Sequence, residues 1–105
     1  MAKCKVEFVI TSNKELDAVY LVGNAKELGE WNPKKAIKVL FNKEAKAFTL
    51  GKMLPANEVI EYKVMANPTW DNVEVGMWGE ELENHVFEAK KGHKEVIGVG
   101  YFKNI

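Results

Sequence analysis

The apolar residues of this chain recur with a period of two, and that confines the fold more than any other feature. In KVEFVIT, Lys5 to Thr11, the side chains of Val6, Phe8 and Ile10 occupy every second position. Successive side chains of a strand point to opposite sides, so this spacing lines one face of an extended segment. The period returns in EVIEYKVMA, Glu58 to Ala66: Ile60, Tyr62 and Val64 are expected to face inward, and Glu61, Lys63 and Met65 outward. DAVYLVGN, Asp17 to Asn24, is apolar on both faces, as a central strand is. KKAIKVLF (34–41), KAFTLGKML (46–54), NHVFEA (84–89) and EVIGVGYF (95–102) complete the set of expected strands. Turn-forming residues separate them, among them Ser12-Asn13, Asn42-Lys43, Pro55-Ala56-Asn57, Asn67-Pro68 and Lys91-Gly92. No long stretch carries a helical period; the best helical candidate, Ala25 to Leu28, is one turn. Short strands divided by turns imply an all-β sandwich or barrel.

A chain of 105 residues suits one domain, residues 1–105, with a small core of its own. Cys4 is the only cysteine, so no intrachain disulfide staples it. Fifteen Lys plus Arg balance fifteen Asp plus Glu, interspersed along the chain. A nucleic-acid binder is expected to show a basic excess or face, and none is visible. The longest apolar stretches, such as VYLVG, fall far short of a membrane span. The first residues, MAKCKVEF, are charged where a signal peptide needs its apolar run. As given, the chain is expected to be cytoplasmic; as a fragment of a larger enzyme it would be secreted.

Catalytic motifs are missing from the sequence. A hydrolase needs two carboxylates in a cleft, or a nucleophile with its base. Glu80, Glu81 and Glu83 read as a solvated loop. His85 and His93 have neither helical nor metal-ligand spacing, and Cys4 is distant, so no metal set assembles. His85 reads as a half-buried strand residue, and Cys4 as a free structural cysteine. GVG near the end lacks the helix that a phosphate loop requires, and no cofactor is called for.

The tryptophans are the remaining signal. Trp31, Trp70 and Trp78 all fall in loop-like sequence, within Glu-Trp-Asn, Thr-Trp-Asp and Met-Trp-Gly. A single loop tryptophan generally caps a core edge; three in loops suggest a binding surface. A sugar ring suits such a surface. Its C–H face stacks on indole, and its hydroxyls take hydrogen bonds from fixed donors and acceptors. Lys63, outward on its strand, supplies donors, and Asn32, Asn72 and Asn84 supply both kinds. The long stretch without strand pattern, Asn67 to Glu83, is of a size that is often functional.

These residues also fall in a familiar order. Val22-Gly23-Asn24, Leu28-Gly29-Glu30-Trp31, Ala36, Leu54-Pro55 and Glu61-Tyr62-Lys63 resemble the starch-binding domains of carbohydrate-binding module family 20. The family pattern runs VGN, LG-x-W, Ala, LP, EYK, and the resemblance covers roughly residues 3–89. It implies an immunoglobulin-like antiparallel β-sandwich of seven to eight strands. It also implies non-catalytic binding of α-1,4-glucans: starch, glycogen, maltooligosaccharides and cyclodextrins. The implied partner, besides the glucan, is a linked or associated amylase-type enzyme. The family's principal site, carried onto matching positions, gives Trp31, Lys63 and Asn84, with Trp70 as second stacking residue and Trp78 as its alternative. His85 stands where the family usually has arginine. The family's second site uses tyrosines in regions that read here Ser12-Asn13-Lys14-Glu15 and Asn42-Lys43-Glu44-Ala45, so one glucan site is expected. The competing expectation is a protein-interaction or regulatory module of the same fold, pairing through an exposed edge near residues 94–102. Residues 90–105 form a C-terminal extension or last strand with no functional reading.

Overall fold

The period-two segments become strands in a computed structural model that describes residues 2–105. In chain order these are β1 Lys3–Ser12, β2 Ala18–Gly23, β3 Ile37–Asn42, β4 Ala47–Pro55, β5 Val59–Met65, β6 Glu74–Val75, β7 His85–Glu88, β8 Lys94–Val99 and β9 Tyr101–Phe102. Seven of them form a continuous ladder in the order β7-β5-β2-β3-β4-β1-β8, while β6 and β9 pair separately. β3 makes the turn between layers: Ile37 to Leu40 pair with β2, and Phe41 and Asn42 pair with β4. The pairings are antiparallel except β1 with β8, which run parallel. The result is the expected all-β sandwich, closed almost to a barrel.

Its core is the inward face predicted by alternation. Val6, Phe8 and Ile10 on β1 are fully buried, as are Ile60, Tyr62 and Val64 on β5. Phe8 meets Tyr62 edge-on at 5.5 Å and Phe87 at 5.8 Å between ring centres. Because β1 lies toward one end of the ladder and β5 and β7 toward the other, these contacts span the two layers. Aromatic pairs of this geometry add about 0.5–1.5 kcal/mol each beyond the area they bury. β2 is buried on both faces at Val19, Leu21 and Val22, as its composition implies. Cys4 is buried and free.

Three local expectations change. Met65 does not face solvent: it is fully buried, because Val73 bridges to it and the Ala66 N–H donates to the Asn72 carbonyl at 2.9 Å. The chain after β5 therefore folds back over the end of its own strand. Lys34 and Lys35 belong to a 3-10 turn, Pro33–Lys35, started by proline and capped by the Asn32 side chain, which accepts from the Lys34 N–H at 3.0 Å. EVIGVGYF is not one strand. It breaks at Gly100; β8 stays with β1, and β9 departs to pair with β6.

Candidate functional site

Two open grooves adjoin on one face and share Lys63 and Glu81. One is lined by Glu61, Lys63, Glu83, Asn84 and Val86 among others. The other is lined by Lys63, Trp70, Glu74, Gly79 and Lys103 among others. Lys63 projects from the outward side of β5, as alternation requires, and its ammonium donates to the Leu82 carbonyl. That bond moors the loop between β6 and β7 and occupies one of the three ammonium donors. Asn84 precedes β7, whose Val86 pairs with Glu61. Its Nδ2 donates to Glu61 Oε1 at 3.3 Å.

Trp70 opens a 3-10 turn, Trp70–Asn72, in which Thr69 Oγ1 accepts from the Asp71 N–H at 3.3 Å. The residue is 40% exposed. Trp78 is 86% exposed. Its backbone is nonetheless held: its N–H donates to Glu80 Oε1 at 2.9 Å, and the Gly76 N–H donates to the Glu80 carbonyl at 2.9 Å. Gly79 completes the turn at φ 80°, where a side chain is disfavoured. A rigid turn thus presents a solvent-facing indole, and it lines neither groove.

Trp31 closes the turn Lys26–Trp31 after β2. Leu28 is the buried root of this turn. Lys3 reaches Glu27 at 2.7 Å, and that hydrogen bond holds the Glu27 carboxyl below its usual range. Gly29, Glu30 and Trp31 then take left-handed φ values of 82°, 49° and 63° in succession. The indole ends half-buried, so it is neither sealed into the core nor standing free. It too lines neither groove. Of the five residues expected at a site, the fold gathers Lys63, Trp70 and Asn84 around the shared grooves and sets Trp31 and Trp78 on separate turns.

His85 does more than fill a strand position. Its Nε2 lies 2.6 Å from Glu74 Oε1, and its ring stacks on Tyr62 at 5.0 Å. Glu74 is 8% exposed. The pair ties β7, which follows Asn84, to β6, which follows the Trp70 turn. A histidine therefore reaches a buried carboxylate from this strand position. Sequence reasoning missed Lys103 in the Trp70 groove, because nothing in its local pattern distinguishes it from other surface lysines. Among the described residues, no group of three or more His, Cys, Asp or Glu is placed to hold a metal ion. No helix among them is long and apolar enough to cross a membrane.

Comparison with known proteins agrees with this architecture. The family described as starch binding domain matches residues 3–98. No curated protein gives a significant match. The family 20 carbohydrate-binding module of the maltotetraose-forming amylase from Pseudomonas saccharophila STB07 superimposes with a TM-score of 0.64 at 19% identity, over 90% of this chain and 98% of that one. The glycoside hydrolase family 15 glucoamylase from Hypocrea jecorina gives 0.66 at 20% identity, over 99% of this chain and 18% of that one. The gamma-CGTase from alkalophilic Bacillus clarkii gives 0.58 at 25% identity, over 94% of this chain and 15% of that one. The chain thus spans one whole module, and less than a fifth of each of those two enzymes.

Proposed function

The chain belongs to the starch binding domain family, and from that premise we propose that it is a non-catalytic module for α-1,4-linked glucans. Starch, glycogen, maltooligosaccharides and cyclodextrins are its ligand class. The observation that carries this reading is the convergence of Lys63, Trp70 and Asn84, distant in sequence, on two open grooves that meet at Lys63. One sugar face stacks on indole while ammonium and amide groups take the hydroxyl rim. Lys63 keeps two ammonium donors beyond the one given to Leu82, and Asn84 keeps an acceptor. Trp31 joins as a stacking residue from its own turn, its half-exposed ring offering a face to ligand. Trp70 is the second stacking residue, and Trp78 is the alternative to Trp70. We keep to one glucan site. The groove between residues 12–17 and Lys46 has a single aromatic, Phe41, whose ring is engaged edge-on with Phe48 at 5.2 Å.

A preformed, open platform buries little area, so affinity between micromolar and millimolar is expected, about −4 to −8 kcal/mol. An amylase-type enzyme, linked or associated, is the partner that such a module serves, in keeping with the enzymes its fold accompanies elsewhere. A second reading has its own observation. Both edge strands of the ladder expose an apolar side chain, Val86 on β7 at 57% and Val96 on β8 at 63%. Edges of this kind accept a further strand, as a protein-interaction module would.

Tryptophan fluorescence titrated with β-cyclodextrin, on wild type and Trp31→Ala, separates the readings. A saturable change in wild type, lost in a variant that keeps its far-ultraviolet circular dichroism, is the expected result. No change up to millimolar ligand defeats the glucan reading and turns attention to the strand edges. An unfolded Trp31→Ala would show that this tryptophan caps the core instead.

A further inference from the structure

Resting on the glucan reading, we propose that the C-terminal segment from Tyr101 to Asn104 is part of the binding site, with Lys103 contacting the sugar and the segment's backbone holding the Trp70 turn in place. These residues lie beyond the part of the chain matched to the family, which ends at residue 98.

The contacts are specific to one place. β9 leaves the main ladder after β8 and pairs with β6 alone, Glu74 opposite Phe102 and Val75 opposite Tyr101. Phe102 is buried in the core and fixes the segment against the sandwich. The Lys103 N–H donates to the Val73 carbonyl at 2.9 Å, and the Lys103 carbonyl accepts from Asn72 Nδ2 at 3.1 Å. Asn104, at φ 58°, turns its Nδ2 to the Asp71 carbonyl at 3.2 Å. Asp71, Asn72 and Val73, the three residues after Trp70, are thus all bonded from the same tail. The turn's own bonds are few and long, Asn72 N–H to the Thr69 carbonyl at 3.1 Å and Val73 N–H to the Trp70 carbonyl at 3.4 Å, so the tail's contacts add to a weakly held geometry.

The side chain of Lys103 completes the argument. It lines the groove that contains Trp70, Lys63 and Glu74, and among the described residues it enters no ion pair. A glucose ring laid on Trp70 presents hydroxyls around its whole rim. Lys63 approaches that groove from β5 and Lys103 from the tail, so donors come from two elements. An ammonium offers donors only, which fits the oxygen lone pairs of a neutral sugar.

Calorimetric titration of the full chain with maltoheptaose and with β-cyclodextrin tests this. The variants are Lys103→Ala, Lys103→Arg, Trp70→Ala and, as a surface-lysine control, Lys91→Ala. Loss of one charged hydrogen bond should weaken binding by roughly ten- to a hundredfold in Lys103→Ala, with an unchanged melting temperature. Lys103→Arg should recover most of the loss, and Lys91→Ala should match wild type. Deleting 101–105 should weaken binding further by releasing the Trp70 turn; should that chain not fold, Lys103→Ala decides. If Lys103→Ala binds as wild type does while Trp70→Ala does not, Lys103 takes no part in recognition; if the folded 101–105 deletion also binds as wild type does, neither does the tail, and in both cases the glucan reading stands. If wild type binds neither sugar, the glucan reading falls, and this proposal with it.

Discussion

Gly29 is the residue on which the aim of Trp31 depends. Its φ of 82° is one that L side chains rarely adopt, and an added Cβ would lie 2.7 Å from the Lys35 carbonyl oxygen. That neighbour is backbone and cannot swing away. Glu30 and Trp31 follow in left-handed conformations without the freedom of glycine, each at a cost of about 1–2 kcal/mol. The turn keeps this strain because Leu28 is buried beneath it and the Asn32 N–H donates to the Gly29 carbonyl at 2.9 Å. Gly29→Ala is expected to destabilise by about 1–3 kcal/mol and to lower glucan affinity with it. Gly92 is the control. It has the same φ, 81°, but nothing within 4 Å of a built Cβ. Gly92→Ala should cost only about 1 kcal/mol and leave sugar binding alone. Urea unfolding and a cyclodextrin titration of both variants check the pair; equal losses at the two glycines would mean that crowding at Lys35 is unimportant.

Among the elements, the β6–β9 pair carries the greatest consequence for its size. Phe102→Ala removes a buried ring and should destabilise by about 3–5 kcal/mol. It should also free the tail and loosen the Trp70 turn, seen as weaker glucan binding at temperatures where the sandwich is still folded. A thermal melt with parallel titrations checks this; full affinity in the folded variant would separate β9 from the site. This pair also marks where sequence reading stops. Long strands were legible because Val6, Phe8 and Ile10, or Ile60, Tyr62 and Val64, repeat often enough to define a face. Two residues, Glu74 and Val75, cannot define a period. Their partner was concealed as the end of EVIGVGYF, whose break at Gly100 is set by pairing across the fold. Met65 was misplaced for the same reason: its cover, Val73, arrives from a loop that local pattern leaves blank. Around the candidate grooves, the outward position of Lys63 was legible from alternation, whereas Trp70 and Asn84 were singled out only through a family resemblance. Lys103 and the left-handed course through Gly29 to Trp31 had no local signal at all.

At the scale of the whole molecule, Tyr62 joins the layers. Its ring lies edge-on to Phe8 and Phe87 and stacked with His85, and its hydroxyl donates to Glu95 Oε2 at 2.8 Å. Glu95 belongs to β8, at the far end of the ladder from β7, and its other oxygen lies 2.9 Å from His93 Nε2. A phenolate here would lose solvent and face Glu95 and Glu74, so burial first, then donation to Glu95, then those two charges raise the phenol well above its usual range. The direction fixes the sign of the pH response. In the unfolded chain the phenol ionises near pH 10. In the folded chain it stays protonated well beyond that, so the native state binds the extra proton. The contribution of this group is therefore complete below about pH 10 and declines as pH rises above it, by up to about 1.4 kcal/mol per pH unit. Tyr62→Phe keeps the ring but removes the proton and the bond to Glu95. It should be less stable at neutral pH by about 1–2 kcal/mol, yet lack the alkaline decline due to this phenol, so the two stability curves converge above roughly pH 10. Urea unfolding followed by far-ultraviolet circular dichroism between about pH 7 and about pH 11 measures both curves. Parallel curves would show that the alkaline loss arises elsewhere and that the Tyr62 hydroxyl is not a tie between the layers.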